Sequence, residues 1–411
     1  MTPSKTDDRD PSLPRLVVFS DDWGRHPSSC QHLISQLVPR YRVDWVHTIG
    51  TRRPKLDLGD LKRGAEKARE WLKRSKSSGE GHKSSTPRIP HNLRIHSPVH
   101  WPGFQTGVER KLNWMLLWRS LKELFLDEND RPEAIITTAS IPVDLARSTR
   151  KDHNWFYYCV DDLAEWPGLD GDTLRDMEIE LLEHVRGIVC VSEHLQERLA
   201  ALGRKDTTLI THGIDPAHWN VSPGPRKRSE GELPTALYWG HADQRLHVGI
   251  CLALAERTRL VMVGPRTDVG PRMENHPRIE WRGKVPYADL PQVAEEADVL
   301  VMPYADLPVT RAMQPLKLKE YLATGRPAVA TPLPANQAWS EALDLTSSPE
   351  EFVRIVLQRA EERLPAEQAA ARLDLAAEAW SHKARDFEEA FSSSREKPLP
   401  ELGSIVGAQR S

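Results

Sequence analysis

The strongest constraint on this chain is a repeated alternation of short apolar, β-type runs with helical segments, interrupted once. The runs RLVVFS (15–20), YRVDWVH (41–47), NLRIHS (92–97), EAIITT (133–138), NWFYYCV (154–160), GIVCVS (187–192) and TTLITHG (207–213) read as strands. Helical segments separate most of them. Strands that alternate with helices form a parallel sheet covered on both faces. The stretch NVSPGPRKRSEGELP (220–234) has no apolar period and is rich in Pro, Gly and charge, so it reads as a linker. The alternation then restarts with TALYWG (235–240), RLVMVG (259–264), RIEWRG (278–283), ADVLVMP (297–303) and PAVAT (327–331). The expectation is an α/β chain of two Rossmann-like, doubly wound domains that face each other across a cleft. Residues 1–14 are expected as a disordered tail, 15–219 as the first domain and 220–234 as the linker. Residues 235–365 form the second domain, 366–395 C-terminal helices and 396–411 a second tail. Ligands of such sheets bind beyond the carboxyl ends of the strands, which directs attention to the loops there.

A length of 411 residues suits two cores, and a net charge of −3 does not favour nucleic acid as a partner. Cys30, Cys159, Cys190 and Cys251 are far apart and form no C-x-x-C pair, so a zinc or disulfide framework is not expected and a reducing cytoplasm fits. The opening MTPSKTDDRDPSLP lacks the basic-then-apolar order of a signal peptide, and no apolar run approaches a membrane span. Two stretches leave membrane contact open. VERKLNWMLLWRSLKELF (108–125) sets Trp114, Leu117, Trp118, Leu121 and Phe125 among Arg and Lys, and LKRGAEKAREWLKRSK (61–76) is basic and partly amphipathic; such stretches lie in a bilayer interface or are core helices with a wet face. SKSSGEGHKSSTP (75–87) reads as a surface insertion.

The stretch QPLKLKEYLATGRPAVAT (314–331) reads as helix, stop, strand. Pro315 suits the first helical position, Gln314 the cap, and Gly325 the end. Leu318 and Leu322 share the packing face. The first turn would leave the N–H groups of Leu316 and Lys317 open, and with the helix dipole these favour an anion such as a diphosphate. Lys317 adds a positive charge there, and Glu320 stands one turn deeper, suited to accept from the two hydroxyls of a ribose. The alternative is a solvated face with ordinary helix pairs.

From TALYWG to PAVAT the order of features resembles the donor domain of the GT-B glycosyltransferases, specifically glycosyltransferase family 4. YYCVDDLAEWPG, VRGIVCVSEHLQERL and ITHGID in the first half resemble that family's later acceptor-domain strands and its junction. The resemblance covers about residues 15 to 345 and is strongest from Leu290 to Thr331. It implies that Glu320 binds the ribose of a nucleotide sugar and that Gln314, Pro315 and Leu316 face the diphosphate through backbone. The loop GHADQRLHVG, opened by Gly240, would bring His241, Arg245 or His247 to the phosphates. Arg245 is preferred, being always charged and able to grip phosphate with two donors. The loop RGKVPYADLP would lie against the base. Ala312 departs from the family's second glutamate, which leaves Asp306, Thr310 and Arg311 as candidates on the sugar side.

In the first domain Asp21, Asp22, Trp23, Gly24 and His26 follow the first strand and are expected on the acceptor side, with a capped turn beginning at Ser28 as the alternative. Asp161 and Asp162 follow another strand as an acidic pair for general-base or hydroxyl-binding work. Their spacing is not D-x-D, and no metal is assigned. His212, at the hinge, is expected to make a structural hydrogen bond. The implied activity is transfer of a sugar from a nucleotide diphosphate sugar to an acceptor hydroxyl, with retention, in polysaccharide or glycolipid assembly. The partners are that donor and a carbohydrate or lipid-linked acceptor, with no further cofactor and no nucleic acid. A cytoplasmic site, peripheral on the membrane's inner face, would suit a lipid-linked acceptor. A sugar-nucleotide epimerase and a catalytically degenerate nucleotide-sugar-binding protein remain alternatives.

Overall fold

The structure, a computed structural model, describes residues 9–24, 28–48, 89–101, 103–219, 228–401 and 403. His26 and the stretches 61–76 and 75–87 lie outside the described residues, as does the linker from 220 to 227. Two parallel sheets organise the chain. The first holds β1 (Arg15–Ser20), β2 (Arg42–His47), β3 (Leu93–His96), β4 (Ala134–Thr137), β5 (Trp155–Cys159), β6 (Gly187–Cys190) and β7 (Thr207–Leu209), in the order β3-β2-β1-β4-β5-β6-β7. The second holds β8 (Thr235–Trp239), β9 (Arg259–Val263), β10 (Ile279–Gly283), β11 (Val299–Met302), β12 (Ala328–Ala330) and β13 (Asp344–Leu345), in the order β10-β9-β8-β11-β12-β13. Every residue of β1, β4, β5, β6, β8, β11 and β12 is buried, as continuous apolar runs covered on both faces require. β13 escaped the sequence reading because two residues carry no period.

In the second sheet β8 pairs with both β9 and β11, so the winding direction reverses between β8 and β11. Loops leaving these two strands must part to opposite sides, and a crevice opens between them at their carboxyl ends. In the first sheet the reversal falls between β1 and β4.

The first domain extends further at both ends than the sequence suggested. Residues 9–14 were expected in a tail, yet Arg9 is buried, donates to Val43 O at 2.9 Å, and pairs with Asp44 at 3.1 Å. Burial opposes the charge on Asp44, but His96, Arg9 and Arg15 hold its carboxyl below the ordinary value. The C-terminal helices divide between the domains. Leu375 belongs to the second core, whereas the helix Trp380–Ser394 returns to the first. Its Phe387 ring packs 5.1 Å from Tyr158 and 5.7 Å from Phe156. The chain therefore crosses between domains twice. The crossings are joined side by side, Ile214 N–H donating to Glu378 O at 2.9 Å and Trp380 N–H to Ile214 O at 3.0 Å.

Phe387 is fully buried. Phe387→Ala should remove about 3–5 kcal/mol from the first domain's stability through lost transfer energy and a cavity. Urea unfolding followed by first-domain tryptophans checks this, and an unchanged midpoint would separate that helix from the first core.

Candidate active site

The helix Leu316–Ala323 starts under the crevice between β8 and β11. Pro315 is its N-cap (φ −67°, ψ 117°) rather than its first helical residue, and no side chain caps it. Gln314 therefore does not serve as the cap. Proline's fixed φ accounts for the shift, being equally compatible with the extended backbone of a cap. Gly325 ends the helix at φ +70°, as expected.

Lys317 points back along the helix to the ends of both strands. Its ammonium donates to Tyr238 OH at 3.0 Å and Tyr304 OH at 2.8 Å, and stands 4.3 Å from the centre of the Tyr238 ring. Burial alone would raise the Tyr304 phenol, but the Lys317 and Arg245 cations bring it below its ordinary value. Gly240 makes this approach possible. A Cβ there would lie 2.1 Å from Lys317 Nζ, and the backbone φ is +131°. Gly240 is thus a packing requirement for the cation.

Glu320 is buried one turn on, and its Oε2 accepts from Trp239 Nε1 at 2.9 Å. The other oxygen, Oε1, has no hydrogen-bond partner among the described residues. Burial pushes this carboxyl up to about 7, against the Trp239 hydrogen bond and the Lys317 charge. Trp239 lies parallel to Trp219 at 5.3 Å, and Trp219 Nε1 donates to Tyr287 OH at 3.1 Å. Tyr287 belongs to the loop expected against the base, and its ring stacks on His218 at 4.4 Å.

Arg245 reaches the same crevice, buried and held by both oxygens of Asp243 at 2.8–3.1 Å. Its guanidinium lies 4.5 Å over Trp166 of the first domain. His241 contacts Thr267 at 3.0 Å. His247 accepts from Ile250 N–H as the cap of the helix Val248–Arg257, so its imidazole holds a helix end. On the sugar-side loop, Asp306 and Arg311 pair with each other in the open, and Thr310 is buried with its hydroxyl donated to Ala305 O at 2.6 Å. The Ala312 carbonyl accepts from Ser192 Oγ at 2.9 Å, a contact between the domains.

The structure separates the acidic pair. Asp162 is buried and pairs with Arg198 at 3.2 Å, while Arg198 also holds Glu178 at 2.6 Å and Glu178 accepts from Tyr157 OH. That network belongs to the first core and not to the cleft. Asp161 is the partner that faces Arg245. Burial pushes its carboxyl up to about 7, with Arg245 opposing and Asp162 reinforcing.

At the first reversal, Asp21 accepts from Ser28 Oγ at 2.9 Å and Gln31 Nε2 at 3.2 Å, which makes it the organiser of a turn. Asp22 is half-exposed and lies 3.7 Å from His47 Nδ1. Trp23 packs edge-on against Trp45 at 4.7 Å, and its N–H meets His47 Nε2 at 3.2 Å. Gly24 adopts φ +75°, with its N–H donated to Gln31 Oε1 at 2.9 Å. His212 is buried, and its imidazole is pulled down to about 3 by burial and by Lys319. Its hinge bond is made by its carbonyl, which accepts from Lys319 Nζ, and not by the ring.

The sequence reading missed His47 at the end of β2, Tyr238 and Trp239 in β8, Tyr304 after β11, and Trp166. For the first four the signal was an aromatic or imidazole residue at, or just beyond, the carboxyl end of a strand, whereas Trp166 lies beyond the turn Leu163–Glu165 that follows β5.

With this geometry the chain matches known proteins. Residues 246–361, which include Lys317 and Glu320, match the family model of the group 1 glycosyl transferases. TuaH of Bacillus subtilis (strain 168), named as a candidate glycosyltransferase of teichuronic acid biosynthesis, is 25% identical over 175 residues. That match covers 39% of this chain and 44% of TuaH, so it spans less than half of the relative. Anabaena HepE in complex with UDP-glucose superposes with a TM-score of 0.62 at 13% identity, covering 92% of this chain and 100% of HepE. The E. coli trehalose-6-phosphate protein bound with UDP-2-fluoro glucose gives 0.59 at 14% identity, covering 92% and 99%. The α,α-trehalose 6-phosphate synthase of Burkholderia multivorans gives 0.60 at 13%, covering 97% and 99%. At such identities the likeness is one of fold. The architecture is GT-B, two facing parallel-sheet domains. The match to the group 1 glycosyl transferase model lies within its second half, over residues 246–361.

The Glu320 carboxyl makes stability depend on pH. Folded, it keeps its proton to about 7, while its ordinary value is 4.5. Between those values the folded state binds the extra proton, so stability falls as pH rises. Glu320→Gln cannot ionise and escapes that loss. Urea midpoints measured across this range should fall for the parent relative to Glu320→Gln, and parallel curves would contradict a buried, proton-retaining carboxyl.

Proposed function

We propose that the chain is a glycosyltransferase that moves a sugar from a nucleotide diphosphate sugar to an acceptor hydroxyl, with retention of configuration. We further propose a carbohydrate or lipid-linked acceptor in cell-surface polymer or glycolipid assembly, at the inner face of a membrane. The observation that carries this reading is the Lys317 ammonium at the β8–β11 reversal, with Glu320 one turn behind it.

The chemistry follows from where charge develops. As the bond from the anomeric carbon to the diphosphate oxygen breaks, the departing diphosphate gains negative charge, and the acceptor oxygen bonds to the same carbon. Lys317, Arg245 and the uncapped first turn of the helix Leu316–Ala323 stabilise that charge more in the transition state than in the ground state. Tyr238 and Tyr304 hold the ammonium in position beforehand, so little reorganisation is needed at the moment of reaction. In its ionised form Glu320 accepts from the ribose diol at Oε1 while Trp239 holds Oε2. Asp161, with a carboxyl near neutrality, is the first-domain group suited to receive or steer the acceptor's proton. Asp162 fixes that loop through Arg198.

The neighbours supply supporting analogies. HepE and the E. coli protein were crystallised with UDP-glucose and UDP-2-fluoro glucose, which makes a UDP-hexose the first donor to try. A trehalose-6-phosphate synthase of the same fold is known for glycosyl transfer with retention. TuaH's name supports a cell-surface polymer. The loss of a carboxylate at Ala312 is the feature that favours a second reading, a nucleotide-sugar-binding protein without turnover.

Release of free nucleotide from a sugar-nucleotide panel, with and without acceptors, separates the two readings. Lys317→Ala should lower kcat by about a hundred- to a thousandfold, the range for removing one preorganised charge-stabilising group, and Glu320→Ala should raise the donor KM through the lost ribose contact. Normal turnover in both variants would refute the site.

A further inference from the structure

We infer that the outer face of the helix Gly107–Leu121 is a docking surface for an anionic lipid bilayer. The inference rests on the proposed function only for the reason a membrane is wanted, since the face itself is read from exposure and charge.

The helix turns 100° per residue, so Asn113, Leu117 and Leu121 share one face, and these are its buried residues. The opposite stripe carries Val108, Lys111, Leu112, Met115, Arg119 and Lys122. A surface helix normally turns polar residues of both signs outward. Here apolar and basic side chains share the stripe, and no carboxylate falls within it, although the whole chain has a net charge of −3. Val108 is 80% exposed and Met115 46%. Among the described residues, Val108 and Met115 are two of nine exposed large hydrophobic side chains, and Trp101 of the preceding loop is a third.

The preceding loop extends the patch. The Trp101 backbone N–H donates to Asn113 Oδ1 at 2.7 Å and its indole Nε1 to Glu109 Oε1 at 3.4 Å, which holds the half-exposed ring beside the first turns of the helix. Thr106 and Glu109 form a capping box, so the helix start is set without help from a partner. A cavity of about 370 Å³ opens beside the stripe, lined by Arg110, Lys111, Trp114 and Arg147 with Asp144. Arg110 and Arg147 are both paired with Asp144 and Glu180, which leaves Lys111 at its rim as the cation for a lipid phosphate.

Charge selects the occupant. A second copy meeting this face about a two-fold axis would set Lys111, Arg119 and Lys122 against their own equivalents, and like charges oppose that contact. An anionic bilayer satisfies both halves of the pattern. The basic side chains reach the headgroups while Val108, Met115 and Trp101 enter the interface.

The test is co-sedimentation of the full chain with vesicles of phosphatidylcholine alone and of phosphatidylcholine mixed with phosphatidylglycerol, at low salt. Binding is expected to the anionic vesicles only. Lys111→Gln/Arg119→Gln/Lys122→Gln should weaken it by about a hundredfold, near the worth of three surface cations. Val108→Glu/Met115→Glu should abolish it. Thermal melts and nucleotide release with a soluble acceptor should match the parent in both variants, so a failure of the transferase reading leaves the vesicle result intact. No binding to anionic vesicles, or equal binding by parent and variants, overturns the inference. A dimer in sedimentation velocity that Val108→Glu/Met115→Glu dissolves would assign the face to a second copy and overturn it as well.

Discussion

One ammonium organises the crevice. Lys317 is gripped by two phenols that rise from different strands, and it stands where only a glycine backbone leaves room. Those strands are the pair at which the winding reverses. The same topology that opens the crevice therefore also supplies the walls that hold the charge. A tyrosine pair is a suitable holder because its hydroxyls accept from the ammonium without neutralising it, as a carboxylate would. The cation stays available to an anion arriving from the open side.

Two lysines on one helix do different work. Lys319, two positions beyond Lys317, is buried, and its ammonium goes to His212 O, Thr211 Oγ1 and the Glu378 carboxylate. Burial lowers it to about 8, with Glu378 opposing. Its partners belong to the two segments that cross between domains. The helix that presents Lys317 to the crevice is thus fastened, through Lys319, to the hinge. Any movement of the hinge segments is felt at that helix.

Much of this was legible from residue order. The strands of both sheets stood out as unbroken apolar runs, because parallel strands covered on both faces leave no polar side to interrupt them. Lys317 and Glu320 were legible because a helix start and a four-residue turn are local. What was not legible was non-local. Nothing in DD distinguishes Asp161 from Asp162. The distinction comes from Arg198, on a helix 36 residues later, which claims one and leaves the other to Arg245. Trp239 becomes the holder of Glu320 across 81 positions, a contact that only the folded sheet creates. The chain end was misread for a similar reason. The amphipathic pattern of Trp380–Ser394 announces a helix that must cover something, but not which of two cores.

That return has a mechanical consequence. A pair of lobes joined by one strand of chain is free to bend, twist and slide about the link. Here a pair of parallel straps, clasped to each other by backbone hydrogen bonds at Ile214 and Glu378–Trp380, runs between them. Twisting would stretch one strap against the other and shear those bonds, whereas flexing across the flat of the ribbon leaves them intact. The permitted motion is accordingly that of a leaf on a pin, in which the jaws part and meet along a fixed arc and return the same faces to register each time.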